Sequence, residues 1–180
     1  RQLPPERAIS ISVNVSKRQL AEPSFCAEVQ QIIRDTGIDS GSLGLEVTES
    51  TFMAATESMD QKLRQLKQCG VHLHMDDFGT GYSSLSCLDR FPLDVLKIDR
   101  SFMTNLTSNR KYTAIVLAIV TLARNFKMKV TIEGVETEEQ LAQILTFECD
   151  YAQGYYFSKP VDARAAGAMM TSEAPWLKPA

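Results

Sequence analysis

The sequence contains no long apolar run and no excess of basic residues. Its longest apolar run extends from Ala114 to Ala123, includes Thr121 and is followed by Arg124. A membrane-spanning helix needs about twice that length, roughly 20 residues. Lys and Arg number 19 against 22 Asp and Glu, which gives a formal net charge of −3. This balance disfavours nucleic acid or an anionic membrane as the main partner, because both require a basic surface.

Cysteine and histidine are scarce. The four cysteines, at positions 26, 69, 87 and 149, form no Cys-x-x-Cys pair, and we expect reduced, mostly buried thiols in a cytoplasmic protein. His72 and His74 form a His-x-His sequence. We expect both to be structural, with His74 packed in the interior, although His74 could also support a metal ligand. With 44% hydrophobic residues, the chain can bury one core, so we expect one domain over residues 1–170 and a tail over 171–180.

Short β-branched segments alternate with longer amphipathic segments along the chain. The predicted strands are Ile9–Ser16, Leu43–Thr48, Val71–Asp76, Val95–Asp99, Lys129–Glu133 and Tyr151–Gln153. The predicted helices are Ser24–Thr36, Ala54–Cys69, Ser83–Arg90, Lys111–Phe126 and Glu138–Phe147. Gly37 and Gly70 are expected to end helices, and Thr137 is expected to open one with a capping box. This alternation predicts parallel strands and an α/β fold.

Each predicted strand has one aliphatic face and one small or polar face. In the second strand, Leu45 and Val47 alternate with Glu46 and Thr48. A doubly wound sheet has helices on both faces and needs apolar residues on both. A closed barrel has helices on the outside only, so polar residues can lie inside it. The pattern therefore predicts a (β/α)₈ TIM-type barrel that is incomplete at its N-terminal side, with about six βα units present.

A polar residue stands near the carboxyl end of every predicted strand. In chain order these residues are Asn14, Glu46, Asp76, Lys97, Glu133 and Gln153. Barrels of this type build their active sites at the carboxyl ends of the strands. We therefore expect these side chains to meet at one mouth of the barrel.

Carboxylates grouped in this way repel one another unless cations neutralise them. Oxygen ligands without cysteine favour Mg²⁺ or Mn²⁺ over zinc. The adjacent Asp76 and Asp77 could flank two ions about 3.5–4 Å apart, the spacing used for in-line attack on phosphorus. Lys97 could orient the attacking water or stabilise the phosphoryl oxygens. The residues alone leave two reactions open, metal-dependent phosphoester hydrolysis and enolisation, because enolising barrels also combine carboxylates, lysine and Mg²⁺.

Six segments resemble the signature sequences of one family. In chain order they are SVNVS, LEVTES, DDFGTGYSSL, LKIDRSF, EGVET and QGYYFSKP, between about Ser12 and Pro160. Together they are similar to those of EAL domains, the bacterial cyclic di-GMP phosphodiesterases. The resemblance implies a barrel that uses two Mg²⁺ or Mn²⁺ ions to open cyclic di-GMP to linear pGpG. It also implies a homodimer with sensory or GGDEF-type domains fused to it or regulating it, in the cytoplasm or on the cytoplasmic side of a membrane-anchored protein.

The resemblance assigns roles to individual residues. The implied metal ligands are Asn14, Glu46, Asp76, Asp77 and Glu133. The implied catalytic residues are Lys97, Glu133, Gln153 and Glu49. Lys97 would contact the nucleophilic water, and Glu49 would anchor the loop Asp77–Ser84, which in this family couples dimerisation to activity. The implied substrate and loop residues are Asp77, Phe78, Gly79, Thr80, Gly81, Asp99 and Glu136.

The sequence departs from the family pattern at its start. The Glu-Ala-Leu segment is absent, and with it one metal-ligating Glu, an Arg expected to hold substrate phosphate and the first strands. The first residues, RQLPPERA, include no Met and no secretory signal, so we expect the chain to begin inside a longer protein. We expect the 180 residues alone to be inactive and prone to self-association. A non-catalytic cyclic di-GMP receptor is the alternative, but the filled catalytic positions favour an enzyme.

Overall fold

The computed structural model describes residues 9–81, 86–106 and 109–171. It contains one sheet of six parallel strands, and every strand pairs with the next one along the chain. The strands are β1 (Ile11–Asn14), β2 (Leu43–Thr48), β3 (His72–Phe78), β4 (Val95–Ile98), β5 (Lys129–Ile132) and β6 (Tyr151–Ala152). The sheet curls into a half-barrel, which confirms the predicted TIM-type architecture in its partial form.

Helices connect the strands. They are α1 (Lys17–Ala21), α2 (Phe25–Thr36), α3 (Glu49–Met53), α4 (Glu57–Gln68), α5 (Ser86–Arg90), α6 (Arg100–Leu106), α7 (Arg110–Asn125), α8 (Glu138–Leu145) and α9 (Ala163–Thr171). A short 3₁₀ helix covers Ser40–Ser42. Among the described residues, no helix combines the length and apolar character that a membrane crossing requires.

Several helix ends follow from local sequence. Gly37 ends α2 with a left-handed backbone, φ 64°, which glycine adopts without steric cost. The Thr137 side chain accepts from the Gln140 backbone N–H, and the Gln140 side chain accepts from the Thr137 backbone N–H. The predicted capping box therefore opens α8. Ser16 and Gln19 form a second capping box at α1, which the sequence analysis missed. Because Ser16 begins this helix, β1 is shorter than the predicted strand Ile9–Ser16.

The predicted helix Ala54–Cys69 was wrong at its N-terminal end. Within this region α4 begins only at Glu57, because the Thr56 side chain accepts from the Met59 backbone N–H and caps the helix, and the separate helix α3 ends at Met53, before the predicted start. The helices α1, α3, α6 and α9 were not predicted, and three of the four span five to seven residues, too few to show a periodic pattern. Residues 83–85 of the predicted helix Ser83–Arg90 lie outside the described residues, as do residues 172–180 of the predicted tail.

The two faces of the sheet differ as predicted over β2 to β5. Leu73, Leu96 and Val130 are fully buried on the outer face, where they belong to the hydrophobic core. The inner face carries polar residues and lines a cavity of about 510 Å³. The outer face of β1 differs from the prediction, because Ile11 is 54% and Val13 46% exposed. Among the described residues β1 is an edge strand that pairs only with β2.

Candidate metal and active site

The register of the sheet aligns the polar residues at one end. Asn14 is the partner of Glu46 across β1 and β2. Asp76 on β3 is the partner of Thr48 on β2, and Lys97 on β4 pairs with Thr131 on β5. Since all strands run in the same direction, these side chains approach one another at the carboxyl ends. The predicted convergence is present for Glu46, Asp76, Lys97 and Glu133, whose side chains are in contact, while Asn14 is aligned with Glu46 in backbone register.

An irregularity in β3 brings two adjacent carboxylates together. In a regular strand Asp76 and Asp77 would point to opposite faces. The pairing of β3 with β4 shifts in register between Met75 and Phe78, and Asp77 has a left-handed backbone with φ 56°, which Asp tolerates better than most residues. As a result, one oxygen each of Asp76, Asp77 and Glu133 lie within 4.8 Å of one another.

Lys97 lies at the centre of the carboxylates. Its Nζ is 2.7 Å from Glu46 Oε2, 2.7 Å from Glu133 Oε1 and 3.0 Å from Asp76 Oδ1. The residue is only 4% exposed. Burial alone would lower the pKa of Lys97, but hydrogen bonds to Glu133 and Glu46 and the surrounding negative charge raise it above its usual range. Lys97 is therefore a permanent cation in this site.

The carboxylates respond differently to this environment. Burial raises the pKa of Glu46, but its interactions with His74 and Lys97 outweigh burial and lower that pKa to about 2. Burial raises the pKa of Glu133, and the charges of Asp76 and Glu46 add to the effect against the opposing attraction of Lys97. The pKa of Asp77 is also raised, by burial and then by the charge of Asp76. One ammonium therefore does not neutralise the cluster.

One oxygen of the cluster lacks a hydrogen bond. Asp76 Oδ1 is buried and has no hydrogen-bond partner among the described residues. The Nζ of Lys97 lies 3.0 Å away and attracts this oxygen by charge, but Lys97 shares its single charge with Glu46 and Glu133. A buried carboxylate oxygen that is only partly compensated is costly. The arrangement fits a divalent cation, because Asp76, Asp77 and Glu133 supply the hard oxygen ligands that Mg²⁺ and Mn²⁺ prefer.

The loop after β3 is tied to α3. The Gly79 backbone N–H donates to Glu49 Oε2 at 2.9 Å, and the Thr80 hydroxyl donates to the Asp77 carbonyl at 2.9 Å. Gly79 has φ 93°, and a Cβ atom there would lie 2.6 Å from Phe102 Cζ. Gly81 lies next to Glu49. Residues 82–84 of the predicted loop Asp77–Ser84 lie outside the described residues.

The remaining predicted site residues lie around this centre. Gln153 lines the inner cavity together with Glu46 and Lys97. Asp99 Oδ1 accepts from the Ser101 backbone N–H at the start of α6, and its charge raises the pKa of Asp77. Glu136 is exposed.

Phe102 lies near the site but was not assigned to it from the sequence. It lines an apolar groove together with the predicted loop residue Phe78, which is buried. Phe102 restricts Gly79, and nothing in the residue spacing indicates this contact.

The fold and the site define a class of protein. It is a parallel (β/α) half-barrel with a carboxylate-rich site suited to divalent cations at the carboxyl ends of its strands. The family model described as "EAL domain" matches residues 1–160, and the chain belongs to the EAL domain family.

Relatives and solved structures agree with this assignment. The cyclic di-GMP phosphodiesterase NbdA of Pseudomonas aeruginosa is 40% identical over 157 residues, which are 87% of this chain and 20% of that protein. An uncharacterized protein of Sinorhizobium fredii is 41% identical over 91% of this chain and 20% of its own length. The chain thus spans about a fifth of the length of these relatives.

The solved structures include ligand complexes. PaMucR phosphodiesterase in complex with c-di-GMP superposes with a TM-score of 0.82 and 39% identity, covering 87% of this chain and 64% of that one. Klebsiella pneumoniae BlrP1 in a manganese and c-di-GMP complex has a TM-score of 0.80 and 27% identity, covering 87% of this chain and 40% of that one. A calcium and c-di-GMP complex of BlrP1 has a TM-score of 0.79 and 28% identity, covering 84% of this chain and 39% of that one.

Proposed function

We propose that this chain is a metal-dependent phosphodiesterase domain that hydrolyses cyclic di-GMP to linear pGpG. The observation that carries the proposal is the buried Asp76 Oδ1, which lacks a hydrogen bond and lies in a cluster with Asp77 and Glu133. The substrate is inferred from the relatives described as c-di-GMP phosphodiesterases or solved with c-di-GMP.

The metal ligands of this proposal are the carboxylates of the site and one amide. Asp76, Asp77 and Glu133 already bring their oxygens together, while Glu46 and Asn14 lie beside them in register. Two Mg²⁺ or Mn²⁺ ions, when bound, would supply Lewis acidity toward the phosphodiester and lower the pKa of an attacking water. The family resemblance implies that Asp76 would be shared by both ions.

Lys97 keeps a positive charge at the reacting centre in this proposal. Its raised pKa holds the proton on Nζ throughout the ordinary pH range. Because the ammonium contacts Glu46 and Glu133, it orients both carboxylates, and its third N–H, on the side of Asp76, would be the donor to the attacking water or to a phosphoryl oxygen. Gln153 lines the same cavity and would complete this polar environment.

Glu49 has an indirect role in this proposal. It holds the Gly79 backbone and therefore the loop that begins with Asp77. The position of Asp77 is set by an unusual backbone conformation, so an anchor two residues further on limits its alternatives. Glu49 would thus be a positioning residue, as would Asp99 beside Asp77.

The cellular context stays a prediction. A homodimer, fused sensory or GGDEF-type domains and a cytoplasmic location are implied by the family resemblance. Relatives about five times as long as the matched segment support additional domains, without identifying them.

The test is direct product analysis. We expect the purified full-length protein, with Mn²⁺ or Mg²⁺, to convert cyclic di-GMP to linear pGpG, separated and quantified by chromatography. Asp76→Asn should reduce turnover by about 10²-fold or more, because it removes a charge from the shared metal ligand. Asp60→Asn is the matched control, since Asp60 pairs with Arg64 and Arg90 away from the site. Tight nucleotide binding without linear product would instead indicate a receptor.

A further inference from the structure

A second group of residues lies inside the half-barrel, next to the carboxylates. It consists of Ser12 on β1, Gly44 on β2 and His74 on β3, and all three line the inner cavity. His74 is the register partner of Glu46 across β2 and β3. This group therefore adjoins the site through Glu46.

The imidazole of His74 faces two oxygen atoms. Its Nδ1 lies 3.3 Å from Ser12 Oγ and 3.8 Å from Glu46 Oε1. The side chains of His74 and Glu46 are only 14% and 10% exposed. A carboxylate oxygen can only accept, so the tautomer with the proton on Nδ1 is the one that suits this position.

Glu46 consequently has a nitrogen neighbour on each side. Oε2 contacts Lys97 Nζ at 2.7 Å, and Oε1 faces His74 Nδ1. Each oxygen thus has its own nitrogen neighbour, and the two nitrogens come from different strands. The Lys97 contact is a hydrogen bond, whereas His74 Nδ1 lies beyond hydrogen-bond distance and limits the rotation of the Glu46 carboxylate from its other side as a polar neighbour.

Gly44 provides the space for the imidazole. A Cβ atom at position 44 would lie 2.6 Å from His74 Cε1 and 2.8 Å from His74 Nε2. The backbone of Gly44 is not among the left-handed glycines, so conformation does not require glycine here. The glycine is required because the ring of His74 occupies the volume of a side chain.

We propose that His74 is a positioning residue for Glu46, seated by Gly44 and Ser12, and that it sets the affinity of this protein for its divalent cation. The inference rests on the proposed function in taking Glu46 as a metal ligand. A histidine that merely filled the interior would need the volume of its ring but not a nitrogen at the Nδ1 position. The two possibilities therefore differ in how they respond to substitutions that preserve one ring nitrogen or the other.

The experiment measures Mn²⁺ binding to the full-length protein by isothermal titration calorimetry at one fixed pH. His74→Ala should raise the Mn²⁺ dissociation constant about tenfold, which is the lower end of the loss of metal affinity when a ligand loses its polar neighbour. The amide nitrogen introduced by His74→Asn reaches the position of Nδ1, and this variant should recover most of the affinity. The amide of His74→Gln reaches the position of Nε2 and should recover little, although it fills more of the ring volume.

A double-mutant cycle tests the role of Gly44. Gly44→Ala should weaken Mn²⁺ binding by displacing the imidazole, and it should have little further effect when His74→Ala has already removed the ring. The effects would then be strongly non-additive, as expected for residues that act through one contact. Additive effects would contradict the role of Gly44 as the seat of His74. Thermal unfolding of each variant without metal verifies that it is folded.

Unchanged Mn²⁺ affinity in His74→Ala, or equal recovery by His74→Asn and His74→Gln, would overturn the positioning role. Mn²⁺ binding that follows the expected order without any cyclic di-GMP turnover would support the role of His74 and overturn only the proposed hydrolysis. A wild-type protein that does not bind Mn²⁺ would overturn both.

Discussion

Glu49 and Gly79 are joined by a hydrogen bond of 2.9 Å from the Gly79 backbone N–H to Glu49 Oε2. The carboxylate is buried at the start of α3, with Glu49 only 4% exposed, and the amide belongs to the loop after β3. The contact therefore connects a helix outside the metal cluster to the segment that carries Asp77.

Loss of the Glu49 carboxylate should impair turnover more than metal binding. Removing one buried acceptor costs about 1–3 kcal/mol, so we expect Glu49→Ala to reduce kcat by about tenfold or more. The Mn²⁺ affinity should change less, because Asp76 and Glu133 are untouched. Glu49→Gln keeps an acceptor oxygen and should be milder. Glu57→Ala on the exposed start of α4 is the control, and wild-type turnover in Glu49→Ala would exclude the anchoring role.

Two glutamates of the site should have opposite effects on stability. The lowered pKa of Glu46 means that its charge stabilises the fold at neutral pH, and this contribution is lost as the pH falls from 4.5 to about 2. The raised pKa of Glu133 means that its charge destabilises the fold at neutral pH. Without divalent ions at pH 7, Glu46→Gln should lower Tm and Glu133→Gln should raise it. Each kcal/mol of change in the free energy of unfolding corresponds to a shift of about 2–4 °C in a chain of this size.

Calorimetry in the presence of a chelator measures both shifts. The two variants carry the same chemical change, so each serves as the control of the other. Glu133→Gln should at the same time weaken Mn²⁺ binding, because it removes a ligand charge. Shifts of Tm in the same direction would contradict the assigned charge balance.

Gly79 should not tolerate a side chain. A Cβ atom there would lie 2.6 Å from Phe102 Cζ, and φ is 93°, a conformation that L-residues other than glycine adopt at a cost of about 1–3 kcal/mol. We expect Gly79→Ala to lower both Tm and turnover. At Gly167 in α9 an added Cβ meets no atom within 4 Å, so Gly167→Ala should leave turnover unchanged and stabilise the helix by about 0.5–1 kcal/mol. Equal effects of the two substitutions on Tm and turnover would contradict the claim that position 79 has no space for a side chain.

Calcium should support nucleotide binding but not hydrolysis. Ca²⁺ binds oxygen ligands at about 2.3–2.6 Å with flexible geometry, against about 2.0–2.1 Å for Mg²⁺. The altered spacing should misplace the reacting groups, which tolerate little displacement. Replacing Mn²⁺ by Ca²⁺ should therefore abolish pGpG formation while calorimetry still detects cyclic di-GMP binding. Full turnover with Ca²⁺ alone would be incompatible with the proposed metal site.

The sequence was most informative where side-chain period and fold agree. The alternation of Leu45 and Val47 with Glu46 predicted β2 with its observed bounds, and one polar residue for each strand predicted the convergence of the site. Both features follow from repeating patterns, and such patterns can be recognised in the sequence without the structure.

Features that depend on one backbone torsion or on distant residues could not be predicted. No sequence pattern predicts that Asp77 has a left-handed backbone or that Phe102 lies against Gly79. The sequence indicated a role for Lys97 toward water and phosphate, but not its simultaneous contact with three carboxylates. From the sequence, His74 was expected in the interior and a supporting role for a metal ligand was left open, because the space that Gly44 leaves for the ring becomes visible only when β2 and β3 are paired.

The distortion at Asp77 has a consequence for protein engineering. A designer who transplanted the site residues onto an ideal, regular strand would reproduce every side chain and still separate Asp76 from Asp77, because consecutive positions would face opposite sides of the sheet. The transferable unit is therefore a strand with its register shift between Met75 and Phe78. A graft of the carboxylates should include that backbone segment and the glycine at position 79 that follows it.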